Sequence, residues 1–125
     1  MDGGYTETRR LDGTWIAALY GEHDLSNVAS LYLELDAAVT AASAVIVDLT
    51  DATFIDSTTL QALLRSLEAA HALCVRFAAV VPETGPARRL FDLVALSEKV
   101  STYTTCAAAV AAVTSSAFEE AQASA

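Results

Sequence analysis

Residues 45–49 read VIVDL, a continuous apolar run broken by one aspartate. A strand with one face in water alternates apolar and polar side chains, whereas a strand covered on both faces does not. The run therefore predicts a central strand in a parallel sheet with layers packed on each side. Immediately beyond it, FIDSTTLQALL (residues 54–64) places an acid and three hydroxyls at the start of a helical pattern. Any helix start welcomes an oxygen that accepts a bond from its unpaired first-turn N–H groups, but one cap is enough. The run Asp56, Ser57, Thr58, Thr59 is richer than a cap requires.

The flanking sequence supplies the elements that such a strand needs. A short strand near residues 5–11, a turn at Asp12-Gly13 and a strand over TWIAALYGE (14–22) predict a hairpin. Val28, Leu31, Leu35 and Val39 then fall at helical spacing behind Ser26, which reads as the cap. Leu60, Leu63, Leu64 and Leu67 form a core stripe on a second helix. LCVRFAAVV (73–81) predicts another strand, and Pro86 opens a third helix on which Ala87, Leu90, Phe91 and Val94 share a face. A last strand is expected over 99–104 and an Ala-rich helix from Thr105 to about Phe118, followed by a fraying EEAQASA tail. This order predicts an α/β layer fold: an N-terminal hairpin, then β-α repeats building a mostly parallel sheet, in a single domain of residues 1–125 with its core at about 5–118. The working edge of such a sheet lies where strands end and helices begin. GEHDLS (21–26) and DATFIDSTT (51–59) both fit that position.

Charge narrows the function. Residues 1–60 hold ten acids and two bases, a balance of −8, while residues 61–125 hold six acids and five bases, a balance of −1, summing to the net −9. A field of that sign repels phosphate backbones, so direct nucleic-acid binding is not expected. No apolar stretch approaches the roughly 20 residues that cross a bilayer, and MDGGYTETRR lacks the features of a secretory signal, so a cytoplasmic protein without direct membrane insertion is expected. Cys74 and Cys106 have no CxxC spacing and read as buried thiols, not as zinc ligands or a disulfide. No cofactor loop or metal cluster is apparent, and His23 and His71 have no obvious nucleophile partner, so a non-enzyme is expected. An aspartate such as Asp48 or Asp51 near the end of a central strand also suits a response-regulator receiver. A receiver further needs an early acidic pair and a late lysine after a strand; no adjacent acidic pair occurs early and Lys99 stands at the start of the last expected strand, not after it, so that reading is rejected.

GEHD at 21–24, VIVDLTDATFIDST at 45–58 and PETGPARRLFDLVAL at 82–96 together resemble the STAS domains, and among them the bacterial anti-sigma factor antagonists. The resemblance runs from about Gly13 to Val113. In that family the first Ser of an Asp-Ser-Ser-Gly motif is phosphorylated by a kinase that is itself an anti-sigma factor, and Ser57, preceded by Asp56, matches it. Thr58 stands where a second Ser is usual and Thr59 where Gly is usual. From the residues alone Ser57 reads as an N-cap; the resemblance makes it the phosphorylation site. Glu22 and Asp24 read alone as solvated loop acids, and the resemblance makes Asp24 a neighbour of that site. His23 reads as an exposed loop histidine, with pH sensing as the alternative. Arg88 reads as solvated helix surface or, with Arg89, as a small partner-facing patch.

The resemblance implies an anti-sigma factor antagonist in a partner-switching circuit. It would bind an anti-sigma factor serine kinase through Glu22, His23, Asp24, Asp56, Ser57, Thr58, Thr59 and Arg88, and be reset by a PPM-type serine phosphatase. Thr59 would narrow partner choice by its bulk. The rival reading is an unphosphorylated docking subunit of a lipid-transport ATPase complex or a larger signalling assembly. A homo-oligomer is compatible with either.

Overall fold

The computed structural model describes residues 3–115. Its elements are β1 (Tyr5–Leu11), β2 (Thr14–His23), α1 (Val28–Ala41), β3 (Ala44–Ile55), α2 (Ser57–Ala72), β4 (Arg76–Val80), α3 (Pro86–Leu93), a 3₁₀ turn (Leu96–Glu98), β5 (Ser101–Tyr103) and α4 (Cys106–Val113). The sheet order is β1-β2-β3-β4-β5, with β1 antiparallel to β2 and all other neighbours parallel. This is the α/β fold expected from the sequence, with VIVDL in the middle strand. The hairpin turns at Asp12 and Gly13, and the left-handed φ of 55° falls on Asp12, not on the glycine. Gly13 lies close to Ser43 instead: a Cβ there would stand 2.9 Å from Ser43 Oγ, so that hydroxyl would have to turn away.

Two apolar layers explain the uninterrupted run. Val45, Val47 and Leu49 of β3 pack with Leu31 and Leu35 of α1, Leu60, Leu63 and Leu67 of α2, and Phe91 of α3. Ile46 points to the opposite face and packs with Ala78, Val80 and, from α4, Ala109 and Val113. Each strand step from β2 to β5 moves the same way across the sheet, so right-handed crossovers put α1, α2 and α3 on one face, and the terminal α4 closes the other.

Several expected boundaries move. The strand does not stop near Asp51: β3 runs on to Ile55, and two register shifts against β2, between Ala18 and Tyr20 and between Gly21 and Glu22, bring His23 level with Ile55. The strand expected from Leu73 begins at Arg76, because Cys74 takes a left-handed φ of 58° and closes α2. Cys74 N–H donates to His71 O (3.2 Å) and Val75 N–H to Ala70 O (2.8 Å), the paired bonds of a Schellman stop. The thiols expected to be buried are not: Cys74 is exposed and Cys106 half-buried. Val94, expected on the apolar face of α3, is 45% exposed. Helix α4 ends at Val113 among the described residues, and Phe118 and the EEAQASA tail lie outside them.

Candidate functional site

The ends of β2 and β3 lie side by side, so the turns that open α1 and α2 form one surface. The residue that caps α2 is Asp56, not Ser57. Its Oδ1 accepts from Thr59 N–H (3.0 Å), Thr58 Oγ1 (2.7 Å) and Thr59 Oγ1 (3.1 Å). Its own N–H donates to His23 O (3.2 Å), which ties the two turns together. Partial burial alone would push the Asp56 carboxyl up, but the bonds from Thr58, Thr59 and the Leu25 N–H outweigh it and hold the group below its ordinary value.

Three of the four polar side chains in the run are thereby engaged with one another. Ser57, at the first helical position, is exposed, and its hydroxyl makes no hydrogen bond among the described residues. It borders a shallow depression with Leu60, Leu64, Val94, Leu96 and Lys99. On the other side of the helix, Thr58 and Gln61 line a groove with Leu25, Val28, Tyr32 and Arg65 of the α1–α2 face. Ser57 and Thr58 therefore form a ridge between two partly apolar hollows at the positive end of the α2 dipole.

The first turn is built differently. Asp24 Oδ1 accepts from Ser26 N–H (2.9 Å) and Ser26 Oγ (2.5 Å). Asn27 accepts from Asp24 N–H (3.0 Å) and donates to Glu22 O (2.9 Å) and Gly4 O (3.3 Å). Ser26 is thus not the cap of α1; Asn27 holds that position, with its side chain turned to the loop.

Three expected site residues need correction. His23 is 1% exposed, not a solvent-facing loop histidine. Its Nε2 lies 3.1 Å from Tyr20 O and so carries the proton, while Nδ1 is buried without a partner. The chain before β1 roofs it closely: a Cβ on Gly4 would stand 2.8 Å from Nε2 and 2.3 Å from Glu22 O. Thr59 is 0% exposed, so its bulk cannot press on a partner. It faces inward because the third helical position, one turn from the cap, lies over the core beside Leu60 and Leu63. Arg88 is not a free surface cation. Its Nε donates to Pro82 O (3.0 Å) and its Nη2 to Val81 O (2.9 Å), satisfying carbonyls at the end of β4, with Asp92 3.9 Å away. Glu22 is exposed and Asp24 half-buried on the same surface as Ser57.

Sequence reasoning missed Leu25, Val94 and Lys99. Leu25 is 73% exposed between two polar residues that are bonded to each other. An apolar side chain inside a polar turn was the available signal. Lys99 is the only lysine, and nothing in its spacing from Ser57 indicates their shared hollow.

The STAS domain family matches residues 5–109. A crystal structure of an anti-sigma factor antagonist from Mycobacterium paratuberculosis superposes with a TM-score of 0.83 at 27% identity, over 90% of this chain and 96% of that one. The anti-sigma factor antagonist SpoIIAA in its unphosphorylated form gives 0.72 at 19% identity, over 85% and 93%. The phosphorylated form of the Bacillus cell fate determinant SpoIIAA gives 0.66 at 19%, over 87% and 99%. No curated protein shows a significant match to the sequence. With the family matched over most of its length and the sheet order, helices and turn motifs in place, this chain belongs to the STAS domain family.

Proposed function

We propose that this chain is an anti-sigma factor antagonist switched by phosphorylation at Ser57, acting as a non-catalytic binding partner. The observation that supports it most is the division of labour at α2: Asp56 caps the helix and holds both threonine hydroxyls, leaving Ser57 exposed and unbonded. A hydroxyl needed for capping would be a poor phosphoacceptor, because its modification would unseat the helix. Ser57 is not so bound.

Unphosphorylated, the ridge of Ser57 and Thr58 and the apolar rims at Leu25 and Val94 dock on an anti-sigma factor serine kinase. That kinase transfers the terminal phosphoryl group of ATP to Ser57 Oγ. Roughly −1.5 to −2 of charge then sits beside Asp56, on a surface already carrying Glu22 and Asp24, and an apolar or acidic partner is expelled. The helix dipole tolerates the phosphate, so the fold survives the switch. A PPM-type phosphatase hydrolyses the ester and restores binding. The rival reading as an unphosphorylated docking subunit rested on Thr59 standing where the family has Gly, and with that side chain buried its bulk does not obstruct a kinase.

The test is a set of binding isotherms with purified anti-sigma kinases, alongside phosphopeptide analysis after incubation with ATP. Ser57→Ala should bind and refuse phosphate, while Ser57→Glu should stay folded and bind about 10-fold or more weakly. Equal affinity of wild type and Ser57→Glu for every kinase, with no phosphate on Ser57, would overturn the reading.

A further inference from the structure

β1 stands at the edge of the sheet and pairs only with β2 in the strand order. Such an edge presents an open row of backbone N–H and C=O groups that another strand can extend, and proteins commonly blunt it with short strands, proline, bulges or charged side chains; β1 has only the last of these, Glu7, Arg9 and Arg10, whose signs can also pair with those of a second copy. The opposite edge, β5, is only three residues long. β1 is seven residues, YTETRRL, without proline and with mostly exposed side chains.

Whether a second β1 can add to it is decided by register. Two-fold antiparallel pairing places the axis perpendicular to the sheet, so opposed residues keep their side chains on the same face and the axis must pass midway between the two copies of one residue. An axis at Glu7 sets Glu7 against Glu7, and an axis at Arg9 sets Arg9 against Arg9. Like charges directly opposite one another destabilise a sheet. An axis at Thr8 sets Glu7 against Arg9 twice, Tyr5 against Leu11 twice and Thr6 against Arg10 twice, with Thr8 facing itself. Opposite charges and apolar cross-strand pairs stabilise. Tyr5 is 57% and Leu11 46% exposed, so each gains an apolar neighbour from this arrangement. Axes nearer the strand ends leave fewer residues paired.

We infer that β1 is a self-complementary edge through which two copies of this chain join antiparallel about Thr8, making one continuous sheet from two. The contact is one strand pair and lies at the small end of interface sizes, so the dimer is weak and sensitive to salt. It uses no residue of the Ser57 surface and stands or falls independently of the phosphorylation switch.

Sedimentation equilibrium over a rising concentration series of the whole chain tests it. Wild type should move from 13.1 kDa toward twice that mass. Glu7→Arg creates like-charge pairs at both symmetric positions and should weaken association roughly 10-fold or more. Glu7→Arg with Arg9→Glu recreates both opposite-charge pairs and should restore it, with thermal melts showing that each variant folds. In a Cys74→Ser background, Thr8→Cys should oxidise to a covalent dimer. Thr6→Cys should not, because its symmetry mate lies four residues along, about 13 Å away. A wild-type chain that stays monomeric throughout, a Glu7→Arg chain that associates as tightly, or crosslinking at Thr6→Cys as efficient as at Thr8→Cys would each overturn the inference.

Discussion

The segments DLSN, before α1, and DSTT, at the start of α2, are close in composition, follow adjoining strands and open helices on the same face, yet they distribute their hydrogen bonds in opposite ways. In the first, the loop is closed on itself: Asp24 takes Ser26 through both backbone and hydroxyl, and Asn27 is turned toward Glu22, Asp24 and Gly4. The side chain at the cap position does not cap. In the second, the acid faces the helix, gathers the two threonines and leaves the serine beside it without a partner. A hydroxyl becomes available for chemistry when a neighbour does its structural work, and the bonding pattern, not the residue type, tells the two serines apart.

The largest effect should come from Thr59→Gly. Removing a fully buried side chain that also bonds Asp56 leaves a small void and a weaker helix start, for a loss of about 2–3 kcal/mol in urea unfolding. Kinase selectivity should not broaden through direct contact, and a stable Thr59→Gly chain with new partners would return Thr59 to the surface.

Asp56→Ala follows, at roughly 1–2 kcal/mol for the lost cap. The pH dependence has a definite sign. Because the folded carboxyl titrates below its unfolded value of 3.8, its contribution is complete only above about pH 5 and is lost progressively as pH falls through 3.8 and then the lower folded value. Acid unfolding of Asp56→Asn should lack that component, and an unchanged acid limb would mean that the bonds to Thr58 and Thr59 add nothing in solution.

On the other turn, Asn27→Ala should cost about 1 kcal/mol, since it removes bonds that close the loop, not the cap of α1. Hydrogen exchange should rise in residues 22–26 while the first turn of α1 changes little. The smallest effect should be Ser57→Ala, within about 0.5 kcal/mol of wild type by thermal melt, because the side chain is exposed and bonds nothing among the described residues. A cost as large as that of Asp56→Ala would erase the contrast between the two turns.

Periodicity and local chemistry were enough to predict the layer architecture and sheet composition. VIVDL had to be central because both faces are apolar, and the leucine stripe of α2 follows from 3.6-residue spacing; Leu60, Leu63 and Leu67 are buried, with Leu64 packed against them. The position of the surface at α2 was legible too, since it is where a strand ends beneath a run of hydroxyls. The assignment of roles within it was not. On sequence Ser57 reads as the cap of α2, whereas β3 runs on to Ile55 and Asp56, the next residue, takes the cap. His23 looks like a loop residue until the chain before β1 folds over it, and Thr59 looks like a surface residue until the first turn of α2 is laid on the core. Arg88 looks free until Pro82 and Val81 present their carbonyls to it. Local sequence determines which elements form and which face is apolar, because those depend on neighbours along the chain. Burial and bonding of single polar groups depend on neighbours brought together from distant positions, and only the tertiary structure supplies those.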